Sequence, residues 1–160
     1  MFKALYLLPI ILFISCSDPD STFDVSAGEA VITLDNTEYN AEAKWGERIF
    51  GEDLYQEVHL DMGEDGYADI LCLRFEEGPY VWDGETHRPD GAMVFLTTQN
   101  HGGGGFGPTG GFLIIHEITE TTISGTFHLD MYNFASSCWD CPENELDASG
   151  KFVAIVNLEG

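Results

Sequence analysis

From residue 123 to 132 apolar and polar side chains alternate without a break. Ile123, Gly125, Phe127, Leu129 and Met131 share one face, and Ser124, Thr126, His128, Asp130 and Tyr132 share the other. A period of two is that of an extended strand, and a single apolar face means that one side of a sheet covers a core. The same pattern recurs in short runs broken by Gly, Asn and Asp, at residues 30–34, 39–45, 57–62, 68–75, 92–98, 111–119, 122–132 and 151–158. The first two runs are joined by Asp35-Asn36-Thr37-Glu38, a polar sequence suited to a hairpin turn. Leu71, Leu73 and Phe75 alternate with Ile70, Cys72 and Arg74, which assigns the first three to a core face. Residues 112–115 and 152–156 are apolar on both faces and are expected in central strands. No window has the 3.6-residue period of a long helix; the best is a short turn near residues 143–148. The expected fold is therefore all-β, an antiparallel β-sandwich or flattened barrel of about eight strands.

A chain of 160 residues is long enough for one domain with its own core. Its first stretch has a different character: Lys3, an unbroken apolar run through Ile14, then the small residue Ser15 before Cys16. The run is much shorter than the roughly 20 residues that span a bilayer, so it reads as an export signal that is cut off. Residues 1–15 are assigned to that signal, 16–28 to a tether rich in Ser, Asp and Pro, and 29–160 to a single β domain.

Phe13-Ile14-Ser15-Cys16 resembles the lipobox of bacterial lipoproteins, with Phe13 where that family usually has Leu. The resemblance implies lipidation of Cys16. In such lipoproteins Asp directly after the cysteine marks retention in the inner membrane; here Ser17 stands there, which implies the outer membrane, on its periplasmic face or at the cell surface. The tether Ser17-Asp18-Pro19-Asp20-Ser21 is similar to the acidic tethers of surface lipoproteins in Bacteroidota. Ile123-Ser124-Gly125-Thr126-Phe127 and Ser149-Gly150-Lys151-Phe152 resemble the C-terminal half of small Bacteroidota lipoproteins of unknown function, which bring no catalytic residues with them.

There are 28 acidic and 6 basic side chains, and removal of Lys3 with the signal takes the formal net charge from −22 to −23. The remaining cations, Lys44, Arg48, Arg74, Arg88 and Lys151, are scattered along the sequence, whereas binding to a phosphate backbone needs them clustered. Nucleic acid is not expected as a partner. An anionic lipid surface would repel the domain, so contact with the membrane is expected through the lipid on Cys16 alone.

With Cys16 lipidated, Cys72, Cys138 and Cys141 remain. In an oxidising compartment a structural disulfide among them is the favoured reading, with no pairing fixed by the sequence. A thiol-redox pair at Cys138-Trp139-Asp140-Cys141 and a zinc site completed by Cys72 or a histidine are the alternatives. Asp61, Glu64, Asp65 and Asp69 gather hard oxygen donors around two glycines, as a calcium loop does, although their spacing is not that of an EF-hand. No other cofactor is indicated. Tyr80, Trp82, His87 and Arg88 fall in a turn-rich stretch and are candidates for a ligand platform on which a sugar could stack. His128 and Asp130 share a strand face, as an acid-base pair or a surface contact would. The glycines after His101 fit a dinucleotide fingerprint only formally, because a strand and not a helix follows. No catalytic set emerges. The leading expectation is a non-enzymatic binding or accessory module of the cell envelope, with a glycan or an envelope protein as partner. A thiol-redox enzyme using Cys138 and Cys141 and a purely structural lipoprotein are the rivals.

Overall fold

A computed structural model describes residues 24–84, 89–99, 105–134 and 144–156. These form nine strands: β1 (Glu29–Leu34), β2 (Thr37–Phe50), β3 (Asp53–Asp61), β4 (Gly66–Cys72), β5 (Gly78–Trp82), β6 (Met93–Thr98), β7 (Gly105–Ile118), β8 (Thr122–Asn133) and β9 (Glu145–Val156). Helical pieces are single 3₁₀ turns at Gly63–Asp65 and Pro89–Gly91, and Asn144, just before β9, is also 3₁₀.

Eight strands close on themselves in the order β1-β2-β3-β4-β6-β7-β8-β9, with β9 returning to β1. The all-β antiparallel fold expected from the alternation is thus observed, as a barrel. The ladders are antiparallel except beyond the first residue of β1, Glu29, where its two neighbours meet directly. There Lys44 and Trp45 of β2 pair in parallel with Ile155 and Val156 of β9. Asp35 and Asn36 alone make the β1–β2 turn, both with positive φ (44° and 68°), as a tight two-residue hairpin with right-handed strand twist requires.

β5 was not anticipated as a strand. It pairs with Gly111–Ile115 of β7, while β6 pairs with the same edge of β7 at Gly105 and Phe106. The edge changes partner around Pro108, which has no N–H to offer a neighbour, and the β7–β8 register shifts between Pro108 and Gly110. Three other expectations are corrected. β4 turns Ala68, Ile70 and Cys72 inward and leaves Leu73 exposed, because the chain leaves the ladder after Cys72. Residues 145–148 belong to β9 and form no helical turn, since Leu146 and Ala148 pack into the core. Phe112 and Ile155, placed in doubly covered strands by their apolar runs, face solvent in part.

Inward residues of all nine strands form one apolar core. The space left within it, bordered by Ile32, Leu34, Ile70, Leu96, Phe127 and Leu129, is about 10 Å³, no more than a single water needs. An eight-stranded barrel is just wide enough for its own side chains to fill. Function therefore belongs to the outside.

Candidate functional site

β2 and β3 outrun the barrel. Gly46–Phe50 of β2 pairs only with β3, and residues 53–55 of β3 pair only with β2. At the root of this projecting hairpin lies an open cleft of about 600 Å³, within the range of small-molecule sites (about 300–1,000 Å³). Its apolar wall is Trp45, Ile49, Leu54 and Val156. Ile49 and Leu54 stand directly across from each other and are 73% and 53% exposed, a costly placement for two aliphatic side chains unless something covers them. The indole nitrogen of Trp45 is buried and has no hydrogen-bond partner among the described residues. An unmet buried donor costs about 1–3 kcal/mol.

The polar wall consists of Lys44, Glu47, Gln56, Glu57 and His59. Register places these groups on the two faces of the ribbon: Glu47 and its partner Gln56 share the face of Trp45, Ile49 and Leu54, whereas Lys44 with its partner His59, and Glu57 across from Gly46, share the other. The Gln56 side-chain carbonyl accepts from the Phe75 backbone N–H at 2.7 Å, leaving its amide nitrogen as the donor.

On the face of Lys44 and His59 a charged network ties β2, β3 and β4 together. Asp69 on β4 is buried (5% exposed) and stands opposite His59. His59 Nδ1 is 2.6 Å from Asp69 Oδ1; a carboxylate only accepts, so the histidine proton lies on Nδ1. Arg48 Nη1 donates to Asp69 Oδ2 at 2.9 Å and also to Glu57. The hydrogen bond to Asp69 is the main cause that raises the His59 pKa above its ordinary value; partial burial opposes it, and the charges of Asp69, Glu57 and Asp61 reinforce it. Glu57, His59 and Asp69 have donor atoms within 4.8 Å of one another, close enough to share a metal ion. The Arg48 guanidinium already supplies the positive charge there, and both Asp69 oxygens are engaged. With Asp69 on Nδ1, Nε2 is the imidazole edge left for a ligand, and the ring packs against Tyr67 with centroids 5.7 Å apart.

The residues singled out by sequence are dispersed. Tyr80 and Trp82 are 4% and 2% exposed: strand pairing turns them into the core and sends Pro79 and Val81 outward, so they form no stacking platform. The Tyr80 hydroxyl is spent on the Glu76 backbone, and burial pushes its pKa up to about 12. His87, Arg88, Cys16, Cys138 and Cys141 lie outside the described residues. Cys72 is a free thiol, fully buried, and donates to the Arg74 carbonyl at 3.0 Å. Of the calcium candidates, Asp61 accepts from the Gly63 N–H within its own turn, Glu64 and Asp65 sit in the 3₁₀ turn, and Asp69 belongs to the Arg48–His59 network. His128 contacts Asp147 of β9 at 3.8 Å, a surface pairing across strands.

Trp45, Arg48, Glu57 and His59 were not anticipated as a group. One signal for them was present: Glu57 and His59 are two apart and must share a strand face. Their meeting with Asp69 depends on the β3–β4 register. No protein-family model, no curated protein and no solved structure matches this chain.

Proposed function

We propose that the chain is a lipid-anchored binding domain of the cell envelope, tethered through Cys16, with the cleft at the β2–β3 hairpin as its ligand site. The observation that carries the second half is the contrast between a filled barrel interior and an open cleft bordered by two exposed aliphatic side chains, Ile49 and Leu54. The export signal and the lipobox-like Phe13-Ile14-Ser15-Cys16 support the first half. A rigid scaffold with a preformed concave site and no positioned nucleophile among the described residues suits capture better than turnover.

The anchor is tested by expressing the full chain in a diderm bacterium with labelled palmitate. Label on the wild type and on the outer-membrane fraction, both lost in Cys16→Ala, is the expected result. An unlabelled, freely soluble wild type would overturn it. Ligand capture is tested separately, by melting the mature chain against a library of small envelope and nutrient molecules. A stabilising ligand whose effect disappears in Leu54→Ser supports the cleft, because anything that binds only the folded state must raise the midpoint.

A further inference from the structure

Resting on that reading of the hairpin, we infer that its partner is an extended, positively charged protein segment that adds a strand to the edge of β2 at Glu47 and Ile49, beside the cleft.

Strand geometry identifies the edge. Gly51 and Glu52 alone connect β2 to β3, and Gly51 has φ 69°, as a two-residue hairpin turn with glycine first requires. Phe50 and Asp53 are then a hydrogen-bonded pair, so Gly46 and Arg48 also turn their backbone groups to β3, whereas Trp45, Glu47 and Ile49 turn theirs away. Ala43 has the same parity: its N–H donates to the Gly28 carbonyl at 2.8 Å, on the side away from β3. Trp45 meets Val156 of β9, and beyond it nothing among the described residues pairs with the outward N–H and C=O groups of Glu47 and Ile49. Natural proteins shield such an edge with a charge, a proline or a bulge, because it templates pairing with another chain. Ile49, 73% exposed with Leu54 beside it, is no shield. Arg48 turns to the other face, where it holds Glu57 and Asp69.

Glu47 is the charge on this edge, and it selects the partner. Glu47, Glu52 and Asp53 are exposed, and none of the ion pairs among the described residues reaches them. The cations of β2 are taken, Lys44 by Glu42 at 3.1 Å and Arg48 by Glu57 and Asp69. With a formal charge of −22 on the chain, a basic segment is drawn to this edge, and an acidic segment or a second copy of the chain is repelled. Glu47 and Ile49 share a face with Leu54. A segment with Lys or Arg opposite Glu47 therefore places the residue two positions away opposite Ile49, and an apolar side chain there extends the Ile49–Leu54 row. Main-chain hydrogen bonds supply the attachment and these two side-chain positions the selectivity, the division of labour general to strand addition.

The test is fluorescence anisotropy of a labelled peptide, Thr-Val-Thr-Lys-Thr-Val-Thr, which offers the pattern in either chain direction, against its counterpart with Glu for Lys. The protein is the whole mature chain in a non-ionic detergent. The basic peptide should bind and the acidic one should not, and Glu47→Lys should reverse that preference. Ile49→Pro removes an outward N–H and leaves the β2–β3 ladder its bonds; it should weaken binding about tenfold or more. Ile49→Thr, which keeps the N–H and the branched side chain, should weaken it only about twofold. Circular dichroism and melting of each variant establish that the barrel is retained; if Ile49→Pro does not retain it, the reversal in Glu47→Lys decides. Equal binding of the two peptides, or of neither, would overturn the inference, as would equal losses in the two Ile49 variants, which would make the contact one of side chains alone. Binding only to a chain cut after Val156 would assign the edge to residues 157–160, and self-association in sedimentation that Ile49→Pro abolishes would assign it to a second copy. A small molecule that stabilises the wild type but not Leu54→Ser, with neither peptide bound, would remove the strand addition and leave the cleft as a binding site; failure of both kinds of probe would remove both.

Discussion

The phenyl ring of Phe152 lies across Gly125: a Cβ added to that glycine would stand 2.6 Å from the ring and 2.9 Å from the Ile114 carbonyl oxygen. The two residues are direct partners in the β8–β9 ladder, and two pairs along the same ladder the relation is inverted, with Phe127 over Gly150 at 2.6 Å. Each glycine thus gives a neighbouring aromatic ring a place to lie flat against the backbone, which pins the register of the two strands. Gly125→Ala should destabilise the barrel by about 1–3 kcal/mol, the usual range for forcing extra volume into a packed core. Urea unfolding at one pH measures it. A neutral substitution would mean that the ring moves aside without cost.

Phe152 itself is fully buried. Phe152→Ala should cost more than the glycine substitution, about 3–5 kcal/mol, because it removes transfer energy and leaves Gly125 facing a void. The comparison of the two urea midpoints separates overpacking from cavity formation at one contact.

This contact explains why the β8–β9 half of the fold was legible in sequence and other parts were not. Alternation over ten residues leaves a single assignment of faces for residues 123–132, and the structure keeps it. In β4 leucines and isoleucines fall on both faces, so alternation alone does not choose between Ile70 and Leu71; a small outer cluster of Tyr55, Leu71 and Met93 takes the second set. β5 escapes detection because Gly78 and Pro79 read as turn residues, and its place on the β7 edge is a tertiary fact. The cleft was illegible for the same reason. Asp69 reaches His59 across ten positions of sequence, and Arg48 reaches both Glu57 and Asp69 from a third strand. Strand periodicity gives the face of a residue but not its cross-strand neighbour.

Cys72 should be inert while the barrel is folded. Its thiol is fully buried and hydrogen-bonded to the Arg74 carbonyl, so a thiol reagent should reach it only through unfolding. Labelling of a Cys138→Ser/Cys141→Ser variant, followed by mass spectrometry, should show no adduct in buffer and one in denaturant. Rapid labelling in buffer would show that the wall around β4 opens on its own.

His59 gives the stability a pH dependence of known sign. The groups facing it are Asp69, Glu57 and Asp61, with Lys44 opposite on β2. Its folded-state pKa is raised above the ordinary value of 6.5, so the folded chain holds the proton more tightly than the unfolded chain. The contribution is fully present below about pH 6.5 and is lost as pH rises through the raised folded value. Urea midpoints taken from pH 6 to about pH 9 should fall faster for the wild type than for His59→Gln, which cannot titrate. Parallel curves would show that the pair contributes nothing to folding.

Asp69 decides whether that slope belongs to the network or to His59 alone. Asp69→Asn keeps the shape but removes the carboxylate that holds both Arg48 and His59, leaving two cations close together without their shared partner. Removing one member of a buried pair costs several kcal/mol, but Arg48 is 44% exposed at its side chain and regains water, so the expected loss is about 1–2 kcal/mol. The main cause of the raised His59 pKa disappears with the carboxylate, and the pH slope should flatten as it does in His59→Gln. Combining the two substitutions should then cost less than the sum of the single losses, because the second removes an interaction already gone. Additivity within about 0.5 kcal/mol would mean that the two side chains touch without energetic coupling.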